Sequence, residues 1–455
     1  MVLNVFNLNI GEGFAALPSS SFYMEAIVTL GLSFGDEGKG KIVDALARKN
    51  SSNLVVRYCG GSQAAHSVVC DDGTHHIFAQ LGSGSFNKGT ETLLGAGMLV
   101  DPLALMIEAD IFNKKISWDI YPLINVDMDC FVITPFHQAK NRIRELLRGD
   151  GRHGSCGKGI GETREFLSKH PGPHLQIRHL HSKNVTKKHL IRIRDILQKE
   201  AVDLLSGPMT EELLKQFEWF KWDIDSLVED YTSFVNLVST LTSIEIQGLF
   251  EKQKTPIIFE GSQGLLLDEH HGFAPFNTWS NLLPDSAYEM LPTGTNIHTI
   301  GIIRTLTTRH GAGPFPTEDL ELTQKFPDSR NPTNPWQQEF RVGHFDLSLL
   351  RYALACVGTV DSLAVTHTDL LPQQETWKLS YRYEIDEKPF TPTVISDFYP
   401  GMLEQQILQT ENLQVADCVY RDVHHSQVLE TIELVTGLPI EILGTGPKAS
   451  EVIFK

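Results

Sequence analysis

The chain has 455 residues, 41 % of them hydrophobic and 21 % charged, which is the balance of a globular protein long enough to bury a sizeable core. A formal net charge of −17 argues against general affinity for nucleic-acid backbones or anionic membranes, so an anionic substrate would need a local basic pocket. Six cysteines without any C-x-x-C spacing argue against a disulfide framework or a zinc site and fit a reducing cytoplasm, and no apolar run approaches the roughly 18 residues of a membrane span.

Residues 1–23 lack the basic start of a signal peptide, and Met24 stands directly before the first strand, so they read as a disordered leader or an upstream start. Residues 26–30 are apolar and β-branched, as in a buried strand, and from Ile42 onward helix formers recur at helical spacing. Between them, Gly35, Gly38 and Gly40 alternate with Asp36, Glu37, Lys39 and Lys41. Such a turn leaves backbone N–H groups free at a helix N-terminus, where the dipole favours an anion and the lysines add charge. The spacing Gly35-x4-Gly40-Lys41 satisfies the first part of a P-loop, but Ile42 stands where a Ser or Thr would hold Mg²⁺. Asp36, inside the loop, can coordinate a metal or take a proton instead.

Residues 53–58 read as a second strand leading into a Gly-rich turn with Gln63, Ala65, His66 and Ser67. His75 and His76 lie in an alternating run, where neighbours face opposite ways, so the pair reads as structural. Asp101-Pro102 starts a helix, and 135–148 form a basic amphipathic helix. A Gly-rich loop at 149–161 follows, carrying Ser155 and Cys156. Residues 180–252 are mostly helical, with Leu-rich stretches at 184–204 and 223–252. Another buried strand and turn at 256–268 contain Gln263, and strands ending near 369 and 443 bring His367, Asp369 and the turn of Gly444, Thr445 and Gly446.

The run G-D-E-G-K-G-K-I-V-D at 35–44 resembles the signature loop of adenylosuccinate synthetases, purine enzymes that join aspartate to IMP with GTP. Further blocks resemble the family in the same order as far as residue 447. Residues 57–66 are similar to R-Y-x-G-G-x-N-A-G-H, which puts His66 on the general acid, with Gln63 in place of a substrate-binding Asn. Ala65 replaces a Gly whose carbonyl reaches the metal. Residues 154–161 resemble T-T-G-R-G-I-G, the grip on the nucleotide 5′-phosphate, with Ser155 and Cys156 for the threonines. The F-E-G-S-Q-G run at 259–264 implies that Gln263 reads the purine, and Thr278 falls on a phosphate-binding Thr. Residues 308–318 follow T-R-V-G-A-G-P-F-P-T-E with His310 for Val, and 365–369 resemble the guanine-reading T-K-x-D with His367 for Lys. The 444–447 turn is similar to the S-T-G-P nucleotide-binding turn.

The resemblance implies a P-loop-like α/β fold with a mostly parallel central sheet flanked by helices, a helical subdomain and small accessory elements. It would form a single large domain over 24–455, with the mostly helical insertion around 172–255. It also implies Mg²⁺ held by Asp36 and the Ala65 carbonyl, and a triphosphate, GTP or ATP, bound by Gly35, Glu37, Gly38, Lys39, Gly40, Lys41, Ser67, His367, Asp369, Gly444, Thr445 and Gly446. A purine monophosphate would meet Asp36, Lys39, Gln63, His66, Ser155, Cys156, Gln263 and Thr278. The family is a homodimer in which an arginine crosses into the neighbouring site; His170 stands at that position here. The family's aspartate-loop arginines are replaced by Gln338, Glu339 and Phe340, leaving Arg304, His310 and Arg341 as candidates for the amine. Three readings follow: a ligase acting on IMP with aspartate, the same chemistry on a 2-aminopurine nucleotide such as dGMP, and a nucleotide sensor without catalysis. Retention of both Asp36 and His66 speaks against the last.

Overall fold

The computed structural model describes residues 24–328, 339–395 and 401–455. The expected leader at 1–23 and residues 334–338 of the divergent loop lie outside them. Glu25–Gly31 (β1) is buried along most of its length, and an apolar run of this kind suits a strand covered on both faces. Nine further strands join it in one sheet: Leu54–Arg57 (β2), Glu91–Leu94 (β3), Ile124–Asp127 (β4), Ser239–Leu241 (β5), Ile257–Gly264 (β6), Asn296–Arg304 (β7), Ser362–Thr366 (β8), Ile440–Gly444 (β9) and Val452–Phe454 (β10). Their order is β5-β4-β3-β2-β6-β1-β7-β8-β9-β10. The chain leaves β1 toward one edge, returns through β6, and fills the other side from β7. Neighbours run parallel except β9 and β10, which are antiparallel. The mostly parallel α/β sheet expected from the sequence is therefore present.

The first helix, Lys39–Asn50 (α1), begins earlier than Ile42, because Gly38 adopts a left-handed φ of 86° and turns the chain directly into it. Pro135–Arg148 (α2) matches the expected basic helix and is followed by Ile160–Lys169 (α3). Within 172–255 lie Lys183–Asp203 (α4), Glu211–Phe217, Ile224–Leu237 (α5) and Ser243–Glu251. The 223–252 stretch is not one helical region. β-Formers at Val238, Thr240 and Thr242 break it, and β5 pairs in parallel with β4 at the sheet edge. Phe136 and Ile143 of α2, Leu190 and Leu197 of α4, and Tyr231 and Phe234 of α5 pack into a core separate from that around β1. The six cysteines are unbridged, and among the described residues no helix is long and apolar enough to cross a membrane.

Beyond the sheet, Leu347–Val357 (α6) is capped by Asp346, whose Oδ1 accepts from Leu349 N at 3.0 Å and whose Oδ2 accepts from the Tyr383 hydroxyl at 2.5 Å. Burial pushes this carboxyl up from 3.8 to about 6, against the pull of Tyr383. Between those values the folded state keeps a proton that the unfolded chain releases, so stability falls as pH rises through the window and stays lower above it. Asp346→Asn keeps a competent cap without the charge, and is expected to stabilise the protein above pH 6 by on the order of 1–3 kcal/mol. Thermal unfolding at pH 5 and 7.5 checks this: an equal gain at both would remove ionisation as its cause.

Candidate active site

Loops following β1, β2, β6, β8 and β9 converge at the carboxyl ends of the strands, where the order splits to either side of β1. They enclose a cleft of about 520 Å³, a volume suited to small ligands. The loop after β1 forms its floor. Asp36 has a φ of 29°, a left-handed conformation that Asp tolerates better than most residues and that clusters at functional sites. Burial pushes its carboxyl up, with Lys39 pulling the other way. Glu37 turns inward instead of facing the cleft: Oε1 accepts from Ser33 N and Gly35 N at 3.0 Å each, and Oε2 from Lys39 Nζ at 2.7 Å. Gly40 is where α1 meets the second loop, since a Cβ there would lie 2.9 Å from the His66 Cβ.

His66 is held on both sides of its ring. Nδ1 lies 2.6 Å from Glu260 Oε1, and Nε2 lies 2.8 Å from the Ser262 carbonyl. Both partners are acceptors, so only the imidazolium satisfies the two at once. Burial lowers the ring's pKa while Glu260 opposes that shift. Glu260 also accepts from Ser83 N at 2.9 Å and from the Ser83 hydroxyl, and stands opposite Arg57 in the β6–β2 register. Burial works against its anion, yet Arg57, His66 and Ser83 outweigh that and hold the carboxyl at about 2.

Elsewhere in the cleft, polar atoms are withheld from water and have no hydrogen-bond partner among the described residues: both amide atoms of Gln63, Oγ of Ser67, Oε1 of Gln263, Nε of Arg304 and Nε2 of His310. Buried polar groups are normally satisfied, so such a group of orphans points to a ligand. Arg304 lies 3.6 Å from Asp328 and 3.5 Å from the Asp36 carbonyl, with Phe340 beneath its guanidinium at 5.9 Å. Lys41, His367, Asp369 and Gly446 line the cleft as well.

The structure thus brings Gly35, Asp36, Gly38, Lys39, Gly40, Lys41, Gln63, Ala65, His66 and Ser67 into one cleft, together with Gln263, Arg304, His310, His367, Asp369 and Gly446. Other candidates do not line it. Ser155 donates to Asn141 Oδ1 at 3.0 Å, and Cys156 shares that loop, which lies beside the 311–312 turn. Thr278 belongs to the 268–282 loop through its backbone bond to Leu267. Gly444 and Thr445 sit behind Gly446. Arg341 is taken up by the carbonyls of Gly311 and Gly313 and by Glu318 at 2.7 Å, and so braces the 311–318 segment. His170 pairs with Glu200 at 2.8 Å. His75 is exposed and His76 buried, as their alternation predicts.

Sequence reasoning missed Arg57, Ser83, Glu260 and Asp328. Arg57 and Glu260 lay inside quoted motifs, but their pairing required the sheet register. A magnesium ion fits the cleft chemically. Asp36 offers a hard oxygen with raised basicity, and Ala65 avoids positive φ, so its Cβ costs no strain and its carbonyl stays available. Among the described residues no cluster of three or more His, Cys, Asp or Glu could hold a metal, so the remaining ligands would come from nucleotide phosphates and water.

A parallel α/β sheet with a Gly-Lys loop and an internal acid at its carboxyl edge defines a nucleotide-handling enzyme class. The family model for adenylosuccinate synthetase matches residues 28–453. Adenylosuccinate synthetases of Francisella philomiragia and Francisella tularensis are 32 % and 30 % identical over 448 and 443 residues, covering 95 % of this chain and 98 % of each relative. The chain belongs to the adenylosuccinate synthetase family, and is a C–N-bond-forming ligase of purine biosynthesis. Two solved structures share its fold. Fully ligated adenylosuccinate synthetase from Plasmodium falciparum is 19 % identical with a TM-score of 0.78, over 95 % of this chain and 100 % of that one. Cyanophage S-2L succinoaminodeoxyadenylate synthetase, bound to dGMP and dATP, is 17 % identical with a TM-score of 0.59, over 95 % of each chain.

Proposed function

We propose that the enzyme moves the γ-phosphoryl of GTP or ATP to O6 of IMP, after which L-aspartate displaces phosphate at C6 to give adenylosuccinate. The observation that carries this reading is Asp36 and His66 lining one cleft with a phosphate-type helix terminus between them. Asp36 takes the N1 proton, which its raised pKa favours. His66 turns its Nε2–H from the Ser262 carbonyl to O6 as negative charge develops there, while Glu260 keeps Nδ1 and favours the cationic ring against burial. Lys39 and the first turn of α1 receive the phosphates. Magnesium, when bound at Asp36 and the Ala65 carbonyl, offsets charge on the transferring phosphoryl group. Arg304 and His310, each with a buried nitrogen that has no hydrogen-bond partner among the described residues, are the donors offered to the amine's carboxylate.

The same chemistry on dGMP is favoured by one feature: Gln63 and Gln263 both keep buried acceptor oxygens without donors among the described residues, and a 2-amino group would supply one. Parallel turnover on IMP and dGMP with aspartate, GTP or ATP and Mg²⁺, read by mass spectrometry, separates the two. Phosphate release is expected only with nucleotide, triphosphate and amine together, and release without the amine would sink the ligase mechanism. The family's homodimer is also proposed; a monomer in sedimentation at micromolar concentration would count against it.

A further inference from the structure

Lys39 and Lys41 stand two positions apart at the start of α1, and at about 100° per residue their side chains leave the helix on nearly opposite sides. Their ammonium groups are engaged in different places. Lys39 Nζ meets Glu37 within the loop. Lys41, only 7 % exposed, instead donates to the carbonyl of Gly446 at 2.7 Å, across 405 residues of chain. Gly444 lies so close that a Cβ there would stand 2.5 Å from this ammonium and 3.3 Å from the Thr366 Cα. The same turn is tied to its neighbours by Thr368 Oγ1 donating to Gly444 O at 3.1 Å and by a bridge between Val69 and Lys448. Thr366 Oγ1 in turn donates to Glu37 O at 2.7 Å, joining the end of β8 to the phosphate loop.

We propose that Lys41 is a positioning residue: its ammonium holds the 444–447 turn against α1, so that the turn and Asp369 form a set pocket for the base of the nucleoside triphosphate. This rests on reading that turn as part of the triphosphate site. A phosphate ligand and a strut make opposite demands on ligand fragments. A fragment without phosphates should feel the loss of the strut, and a fragment without a base should not.

The test is competition against a fluorescent GTP analogue by guanosine, which lacks phosphates, and by tripolyphosphate, which lacks a base. Lys41→Met is expected to weaken guanosine about tenfold or more, the range for losing a charge-assisted hydrogen bond. Gly444→Ala displaces the same ammonium without altering charge, and should weaken guanosine likewise while leaving tripolyphosphate within about threefold. Thermal unfolding confirms that each variant is folded, and Gly444→Ala carries the test if Lys41→Met is not. A loss confined to tripolyphosphate would overturn the strut and make Lys41 a phosphate ligand. A wild-type protein that takes up no labelled GTP and no labelled ATP would overturn the triphosphate reading itself, and this inference with it.

Discussion

Asp36→Asn is expected to lower kcat by about 10³-fold while the protein stays folded, since a positioned general base contributes roughly 10²–10⁴ and an amide cannot take the proton. Asn matches the carboxylate in shape and accepts the left-handed backbone of this position, with φ at 29°, as readily as Asp does. Burial disfavours the native anion, so removing its charge should leave the melting temperature unchanged or slightly higher. The KM for the purine monophosphate should move far less than kcat, because the backbone cradle of the loop is retained. Initial rates of phosphate release beside thermal unfolding read both effects. Wild-type turnover by a folded Asp36→Asn protein would end the proposal that Asp36 is the base.

Glu260→Ala should be the most damaging substitution behind the site. It takes away the anion that faces the guanidinium of Arg57, 0 % exposed, through the β6–β2 register without a direct ion pair, so the expected loss is about 1–3 kcal/mol. Arg57 has one strong protein contact, Nη1 to the Leu81 carbonyl at 3.1 Å, and its Nε and Nη2 have no hydrogen-bond partner among the described residues. The His66 ring also loses its Nδ1 partner, so activity falls with stability. Glu260→Gln separates the two effects: it keeps an acceptor for the ring but not the charge, and should lower kcat more than it lowers stability. Denaturant unfolding checks the first claim; a loss below about 1 kcal/mol for Glu260→Ala would mean that Arg57 needs no anion.

The parallel sheet was legible because its strands are local apolar runs, and the loop after β1 because its glycines, lysines and acids are contiguous. What was hidden depended on partners far away in the chain. The bond between His66 and Glu260 spans 194 residues and follows from β2 lying beside β6. The expectation that Arg341 serves the amine failed to anticipate the Gly311 and Gly313 carbonyls that occupy it, which the antiparallel pairing of Thr307–His310 with Phe340–Gly343 brings into reach. Ser155 and Thr278 sit in loops whose positions no local pattern determines, and helix propensity at 223–252 yielded to a sheet-edge ladder.

The inward carboxylate of Glu37 has a consequence for how the loop greets a nucleotide. Two of the amides that a phosphate-cradling turn would offer, those of Ser33 and Gly35, are already claimed by an anion the chain carries itself. This built-in occupant templates the turn before any substrate arrives, so under the proposed function little of a triphosphate's binding free energy would go into ordering it. An incoming phosphate is left to the amides at the mouth of α1, which ties recognition to the helix end.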